Sequence, residues 1–199
     1  MRSEDAAEAT PLDENEAAGL VPTHISAQAE LNEWEQANIL EAYRWLRARR
    51  RFTATADVLT DGFARELHWQ MFGATWEWAG TYRTSNKGIG VHWPTIAGQL
   101  RSSLADTRHQ IEAAVFTADE SAARLHHRLV QIHPFANGNG RHGRLFVDSL
   151  LVALNRPPFT WGGASADLQR QSHLRSVYIA ALRSADSGDF APLLTFVRR

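Results

Sequence analysis

His133, Arg141 and Arg144 are the residues of this sequence whose types and spacing best suit chemistry. They fall in one run, Gln131-Ile-His-Pro-Phe-Ala-Asn-Gly-Asn-Gly-Arg-His-Gly-Arg144. Gly138 and Gly140 allow positive φ, so that successive N–H groups converge into a concave nest at the start of the helix that follows. Such a nest binds anions, phosphates above all. Arg141 and Arg144, three residues apart, point to one side of that helix. Cations at a helix N-terminus oppose its dipole, and an anion held between two guanidinium forks reverses that penalty. A di- or triphosphate fits this arrangement. At the other lip, His133 carries an imidazole whose ordinary pKa suits proton removal from an attacking hydroxyl. Alone it would read as a histidine that ends a helix; the nest and the arginines in register make it a candidate general base.

The loop has to be positioned by the elements on either side. Ahead of it, Ala122, Leu125, Leu129 and Ile132 recur at helical spacing, with Thr117 and Glu120 placed as a capping box. This helix ends at His133-Pro134, because proline disfavours the α conformation in the residue before it. Behind the loop, Leu145, Phe146, Leu150, Leu151 and Leu154 mark a second helix, stopped by Asn155 and Pro157-Pro158. The unit is helix, glycine-rich loop, helix.

The run His133-Pro-Phe-Ala-Asn-Gly-Asn-Gly-Arg-His-Gly-Arg144 resembles the signature of Fic (Fido) proteins, His-Pro-Phe-x-(Asp/Glu)-Gly-Asn-Gly-Arg-x-x-Arg, and departs from it at one fixed position. The resemblance implies an all-α Fic-fold helical bundle with one small β-hairpin, and transfer of AMP from ATP, with Mg²⁺, to a hydroxyl side chain of a target protein. It implies that His133 is the base and Phe135 the buried anchor of the loop. Gly138, Asn139 and Gly140 would cradle phosphates, with Arg141 on the β-phosphate and Arg144 on the γ-phosphate. The departure is Asn137, where the family carries an acidic Mg²⁺ ligand. An amide oxygen brings no negative charge, so Mg²⁺ would lean on the phosphates. The chain also resembles the Fic subgroup called mobile mystery protein B, which implies a small helix-turn-helix partner in the manner of toxin–antitoxin pairs.

Composition narrows the class. With 199 residues, 44% hydrophobic and 22% charged, the chain is long enough for one sizeable core. A formal net charge of -1 offers no basic footprint for nucleic acid, and with no cysteine there are neither disulfides nor thiolate metal sites. The N-terminus has no apolar signal region and no segment approaches a membrane span, so the expectation is a soluble, cytoplasmic protein. The seven tryptophans are scattered, as core or interface anchors would be.

Taken in order, residues 1–22 are acidic and alanine-rich and read as an arm lying on the domain or a frayed end, with Thr10-Pro11-Leu12 and Leu20-Val21-Pro22 as docking points. The expected division is an N-terminal arm over 1–30, a candidate inhibitory segment, and a Fic domain over 31–199. Ser26 to Arg50 reads as a helix with Leu31, Trp34, Asn38, Ala42 and Trp45 on one stripe, ending in Arg47, Arg49, Arg50 and Arg51. The family's inhibitory pattern, (Ser/Thr)-x-x-x-Glu-(Gly/Asn), is matched in part by Ser26 and Glu30. Glu30 beside Arg144 would compete with phosphate for the same donors.

A helix over Thr60 to Phe72, with Phe63, Leu67 and Met71 inward, is followed by an aromatic and glycine-rich run to Pro94. Within that run Ile89, Val91 and Trp93 alternate after the turn Asn86-Lys87-Gly88, which predicts a hairpin over Tyr82 to Trp93. In the Fic reading this hairpin is a flap that docks the target by strand addition, and Thr84, Lys87, Ile89 and Val91 are the docking residues. Further helices are expected over Ile96 to Ala114, Ser165 to Arg183, and after Asp189. His126, His127, His133 and His142 fit no helical zinc spacing. Trp161 and Tyr178 read either as flanks of a nucleotide base or as core.

The function that the Fic resemblance implies is protein adenylylation, with the arm as an inhibitor; the expected partners are a protein with a Ser, Thr or Tyr hydroxyl and a second copy in a homodimer. Two other readings use the same nest: a nucleotide-binding regulator without catalysis, and a different phosphate-ester transfer, such as kinase-like release of ADP.

Overall fold

The computed structural model describes residues 13–25, 27–48, 54–163, 168 and 173–199. Thr10, Pro11, Leu12, Ser26, Arg49, Arg50, Arg51 and Ser165 lie outside these. The architecture is all-α. Among the described residues the helices are α1 (Glu14–Ala18), α2 (Gln28–Ala48), α3 (Thr55–Val58), α4 (Asp61–Phe72), α5 (Ile96–Glu112), α6 (Ala118–Ile132), α7 (Asn139–Ala153), α8 (His173–Asp186) and α9 (Ala191–Val197), with a 3₁₀ turn at Trp93–Thr95 before α5. No described helix is long and apolar enough to cross a membrane.

The α6–loop–α7 unit is central. Packed against it or behind it, α2 lies on α4, α5 on α6, and α9 on α6 beside α8. Apolar residues at 3.6-type spacing supply the seams: Leu67 and Met71 of α4, Leu100 and Leu104 of α5, Leu125, Leu129 and Ile132 of α6, and Phe146 and Leu150 of α7 are all buried. Each such side chain contributes roughly 1.5–3 kcal/mol relative to exposure. Side-chain caps set the helix starts: Thr60 Oγ1 accepts the Phe63 N–H and Thr117 Oγ1 the Glu120 N–H. The reciprocal half of the predicted box at Thr117 is not made, because the Glu120 carboxylate takes Arg124 instead.

Of two local expectations, the arm lying on the domain is met and the hairpin is not. Residues 13–22 form a short capped helix and a strap on the domain: Asp13 and Glu16 close a capping box, the Val21 N–H reaches Thr75 O, and Leu20 pairs with Trp76 in an isolated antiparallel bridge. The hairpin over Tyr82 to Trp93 is not formed. That run is a loop without strands, because its backbone finds partners on the α6–α7 loop rather than across itself: Arg83 N–H donates to Pro134 O at 3.0 Å and Val91 N–H to Ile132 O at 3.3 Å.

Candidate functional site

The site begins where α6 stops. His133 adopts a left-handed conformation, φ 53° and ψ 62°, with its N–H still bonded to Leu129 O. Pro134 disfavours continuation of the right-handed helix at the preceding residue, and the left-handed conformation of His133 turns the chain off the helix axis. Phe135 is fully buried and anchors the loop beneath, its ring stacked 3.8 Å from the His68 ring. Asn139 closes the loop from inside: its Oδ1 accepts the Phe135 N–H at 2.9 Å and its Nδ2 donates to Phe135 O at 2.8 Å. The Asn139 amide is therefore spent on loop shape, and its contribution to a phosphate cradle is limited to the main-chain N–H.

Gly138 starts α7 with φ 77°. A Cβ there would lie 2.6 Å from the Phe72 ring as well as in a strained conformation, so the position needs glycine twice over. The first intrahelical bond of α7 is His142 N–H to Gly138 O at 2.9 Å. The N–H groups of Asn139, Gly140 and Arg141 lack helical acceptors and point out of the first turn, as an anion site requires.

His68 supports this loop from α4. Its Nδ1 accepts the Gly80 N–H at 3.0 Å, which assigns the proton to Nε2 and makes the 3.1 Å contact with Asn137 O a donated hydrogen bond. Burial and the neighbouring His142 hold this ring neutral, well below the ordinary histidine pKa. His142, also buried, donates to Ala64 O at 2.8 Å and ties α7 to α4.

The charged groups converge from three helices. Arg141 lies 4.8 Å over the Phe72 ring, and its Nη1 donates to Glu35 Oε2 of α2 at 2.6 Å. Glu35 is 5% exposed and its other oxygen accepts the Trp76 indole N–H at 2.8 Å. Arg144 bonds the Tyr178 hydroxyl, and burial lowers its pKa; Tyr178 in turn meets His126 Nε2 at 2.8 Å. Tyr43 of α2 and Asp148 of α7 lie close enough to Arg144 for their charges to interact. Burial raises the Asp148 carboxyl to about 6, against the indole N–H of Trp161 and the Phe159 N–H that it accepts. Trp161 and Tyr178 are thus core residues of this network.

The His133 imidazole is held down at about 4, first by burial and then by the positive charges of Arg83 and Lys87, against a bond to the Val130 backbone that pulls it up. It is neutral at pH 7, the state in which it accepts a proton. Of the predicted docking residues, Thr84 and Ile89 are exposed, and Val91 packs partly on the core. Lys87 is covered by the arm, paired with Glu16 and with Asp13 at 3.6 Å. Glu30 sits exposed on the first turn of α2 with Oε2 on the Ala27 N–H at 3.3 Å; the α2 carboxylate that reaches a motif arginine is Glu35. Glu35, Arg83 and His68 were not singled out from sequence. His68 carried a signal, a histidine beside the inward stripe of α4, whereas nothing local distinguishes Glu35 from the other glutamates of α2.

A magnesium ion does not fit these residues as a protein-held metal. The loop carries no carboxylate, the Asn137 Oδ1 accepts the Gly138 N–H, and among the described residues no three His, Cys, Asp or Glu side chains group together.

Fold and site together define a helical protein with a neutral histidine at the end of α6 and, across a short loop, the N–H groups and two arginines of the first turns of α7. The model of the Fic/DOC family matches residues 58–151. Proteins named protein adenylyltransferase Fic are similar to it: that of Aedes aegypti is 32% identical over 121 residues, 59% of this chain and 22% of the relative. That of Nematostella vectensis is 31% identical over 124 residues, 61% of this chain and 27% of the relative. The chain spans about a quarter of the length of these relatives. Among solved structures, a Fic-1 fragment from C. elegans superposes with a TM-score of 0.68 at 24% identity, covering 91% of this chain and 51% of that one. BepC of Bartonella tribocorum with bound AMPPNP gives 0.63 at 20% identity, covering 94% and 97%. These likenesses show the Fic fold.

Proposed function

We propose that this protein is a protein adenylyltransferase that moves AMP from ATP to a Ser, Thr or Tyr hydroxyl of a target protein. The observation that carries the reading is the placement of a neutral, buried His133 and the Gly138–Arg144 anion site on the two lips of one loop. The names of the relatives at 31–32% identity support it. In this reading the N–H groups of Asn139, Gly140 and Arg141, with the Arg141 and Arg144 side chains, hold the triphosphate. His133 removes the hydroxyl proton as the oxygen bonds to the α-phosphorus, and the bond to the β-phosphate oxygen breaks to release pyrophosphate. Orientation and charge neutralisation supply most of the acceleration. Mg²⁺ belongs to the proposal only as a partner of the nucleotide phosphates. The Glu35 carboxylate on Arg141 competes with phosphate for that guanidinium, so the inhibitory role assigned in sequence to Glu30 passes to Glu35. A small helix-turn-helix partner, on the subgroup resemblance, together with a homodimer and a cytoplasmic location, completes the proposal.

One observation favours a second reading. Asn137 is uncharged and its oxygen is engaged by Gly138, which suits a protein that binds ATP without turnover.

The test uses ATP labelled on the α- or the γ-phosphate, with the wild type and His133→Asn, a substitution that tolerates the left-handed backbone. Transfer of α-label to protein, lost by at least about 10²-fold in the variant, is expected. Label from the γ-phosphate alone would mean phosphoryl transfer, and nucleotide binding without any label would leave the sensor reading.

A further inference from the structure

Arg83 is a buried arginine, 3% exposed, whose hydrogen bonds all go to main-chain carbonyls. Its Nε donates to His133 O at 2.8 Å, its Nη1 to Ser85 O at 2.6 Å, and its Nη2 to Val91 O and, at 3.5 Å, to Ile132 O. Its own N–H takes Pro134 O at 3.0 Å. One residue therefore grips three successive carbonyls, those of Ile132, His133 and Pro134.

We propose that Arg83 is the positioning residue of His133: it fixes the main chain of the base from the adjoining loop, so that the imidazole meets the attacking hydroxyl in one orientation. The inference rests on the adenylyltransferase reading. A guanidinium taken out of water without a hydrogen-bonded carboxylate is costly, and burial lowers the Arg83 pKa. The carbonyls at the C-terminal end of α6 carry the helix's partial negative charge and offset that cost. Only a planar fork with several fixed donors spans these acceptors at once; an ammonium offers a single point. The contact has no slack. Gly90, at φ 96°, lies so close that a Cβ would come 2.7 Å from both Arg83 Nη2 and the His133 Cβ. The charge of Arg83, with that of Lys87, also lowers the His133 pKa, so the same residue sets orientation and keeps the ring neutral.

The experiment compares wild type, Arg83→Lys and Arg83→Met for nucleotide affinity, transfer rate at saturating ATP and target, and the His133 titration midpoint followed by NMR. Nucleotide affinity is expected to stay within about threefold, because the nest and Arg141 do not touch Arg83. Transfer is expected to fall on the order of 10²-fold, as for a base displaced by about an ångström, with little recovery in Arg83→Lys. The His133 midpoint is expected to rise from about 4 in Arg83→Met. Folded variants with unchanged rate and unchanged midpoint would overturn the assignment. An affinity loss as large as the rate loss would overturn it too, by making Arg83 a general scaffold. If the wild type transfers no AMP, the functional reading has failed and the midpoint alone decides: a shift in Arg83→Met upholds Arg83 as the group that sets His133, and no shift removes it.

Discussion

Glu35 and Arg141, 106 residues apart in sequence, form a buried ion pair at 2.6 Å across the mouth of the anion nest. The Trp76 indole holds the second carboxylate oxygen, so the pair is fixed in place. A phosphate entering the nest meets an arginine already occupied.

Removing that charge should favour nucleotide. Glu35→Gln keeps an acceptor for Trp76 and releases Arg141, and nucleotide affinity measured by calorimetry is expected to rise on the order of tenfold, about 1.4 kcal/mol. Without nucleotide the variant is expected to be less stable, since breaking one side of a buried pair leaves an uncompensated charge; nucleotide should restore the loss. Glu30→Gly, by contrast, is expected to leave affinity unchanged.

Gly138→Ala tests the nest. A methyl group would collide with Phe72 at 2.6 Å and sit at φ 77°. Strain of about 1–3 kcal/mol should lower the thermal midpoint, and the displaced first turn of α7 should abolish nucleotide binding. Gly140→Ala, whose Cβ would meet only Arg144 Nη1 at 3.8 Å, is the milder comparison and should keep the thermal midpoint.

Buried histidines should make the fold acid-sensitive. His126 is lowered to about 3 and His133 and His142 to about 4, chiefly by burial. The unfolded chain, with histidines near the ordinary 6.5, binds more protons between about pH 6.5 and 4, so stability falls as pH drops through that window. Each such histidine costs roughly 2 kcal/mol at pH 5. Asp148, raised to about 6, acts in the opposite direction, since its folded form holds a proton that the unfolded one has lost, but it is one group against several. Urea denaturation at pH 7 and pH 5 should show the loss, and His142→Gln should reduce it.

Asn137→Asp should add the anionic metal ligand that the loop lacks. Nucleotide affinity without Mg²⁺ is expected to fall or stay level, and the gain on adding Mg²⁺ to exceed that of the wild type. Calorimetry with and without EDTA checks it.

The sequence by itself determined the helix–loop–helix unit and which residues stand at its centre. Glycine at 138, proline at 134 and apolar residues at 3.6-type spacing are local signals, and α6 and α7 carry the motif as those signals predicted. The start of α4 at Thr60 and the reach of α5 were legible for the same reason, as was a helix over Gln28–Ala48. Tertiary structure alone decided which distant groups meet the loop. Glu35 looks like any glutamate of an acidic helix until α2 packs on α4. Arg83 looks like a residue of a hairpin strand until its guanidinium finds the carbonyls of Ile132 and His133, and the bonds of the Arg83 and Val91 N–H groups to Pro134 O and Ile132 O, rather than to a cross-strand partner, are why no hairpin forms. Hydrogen-bond satisfaction is a property of the packed molecule, and the partners of a buried charge are set by whatever acceptors the fold brings within reach of it.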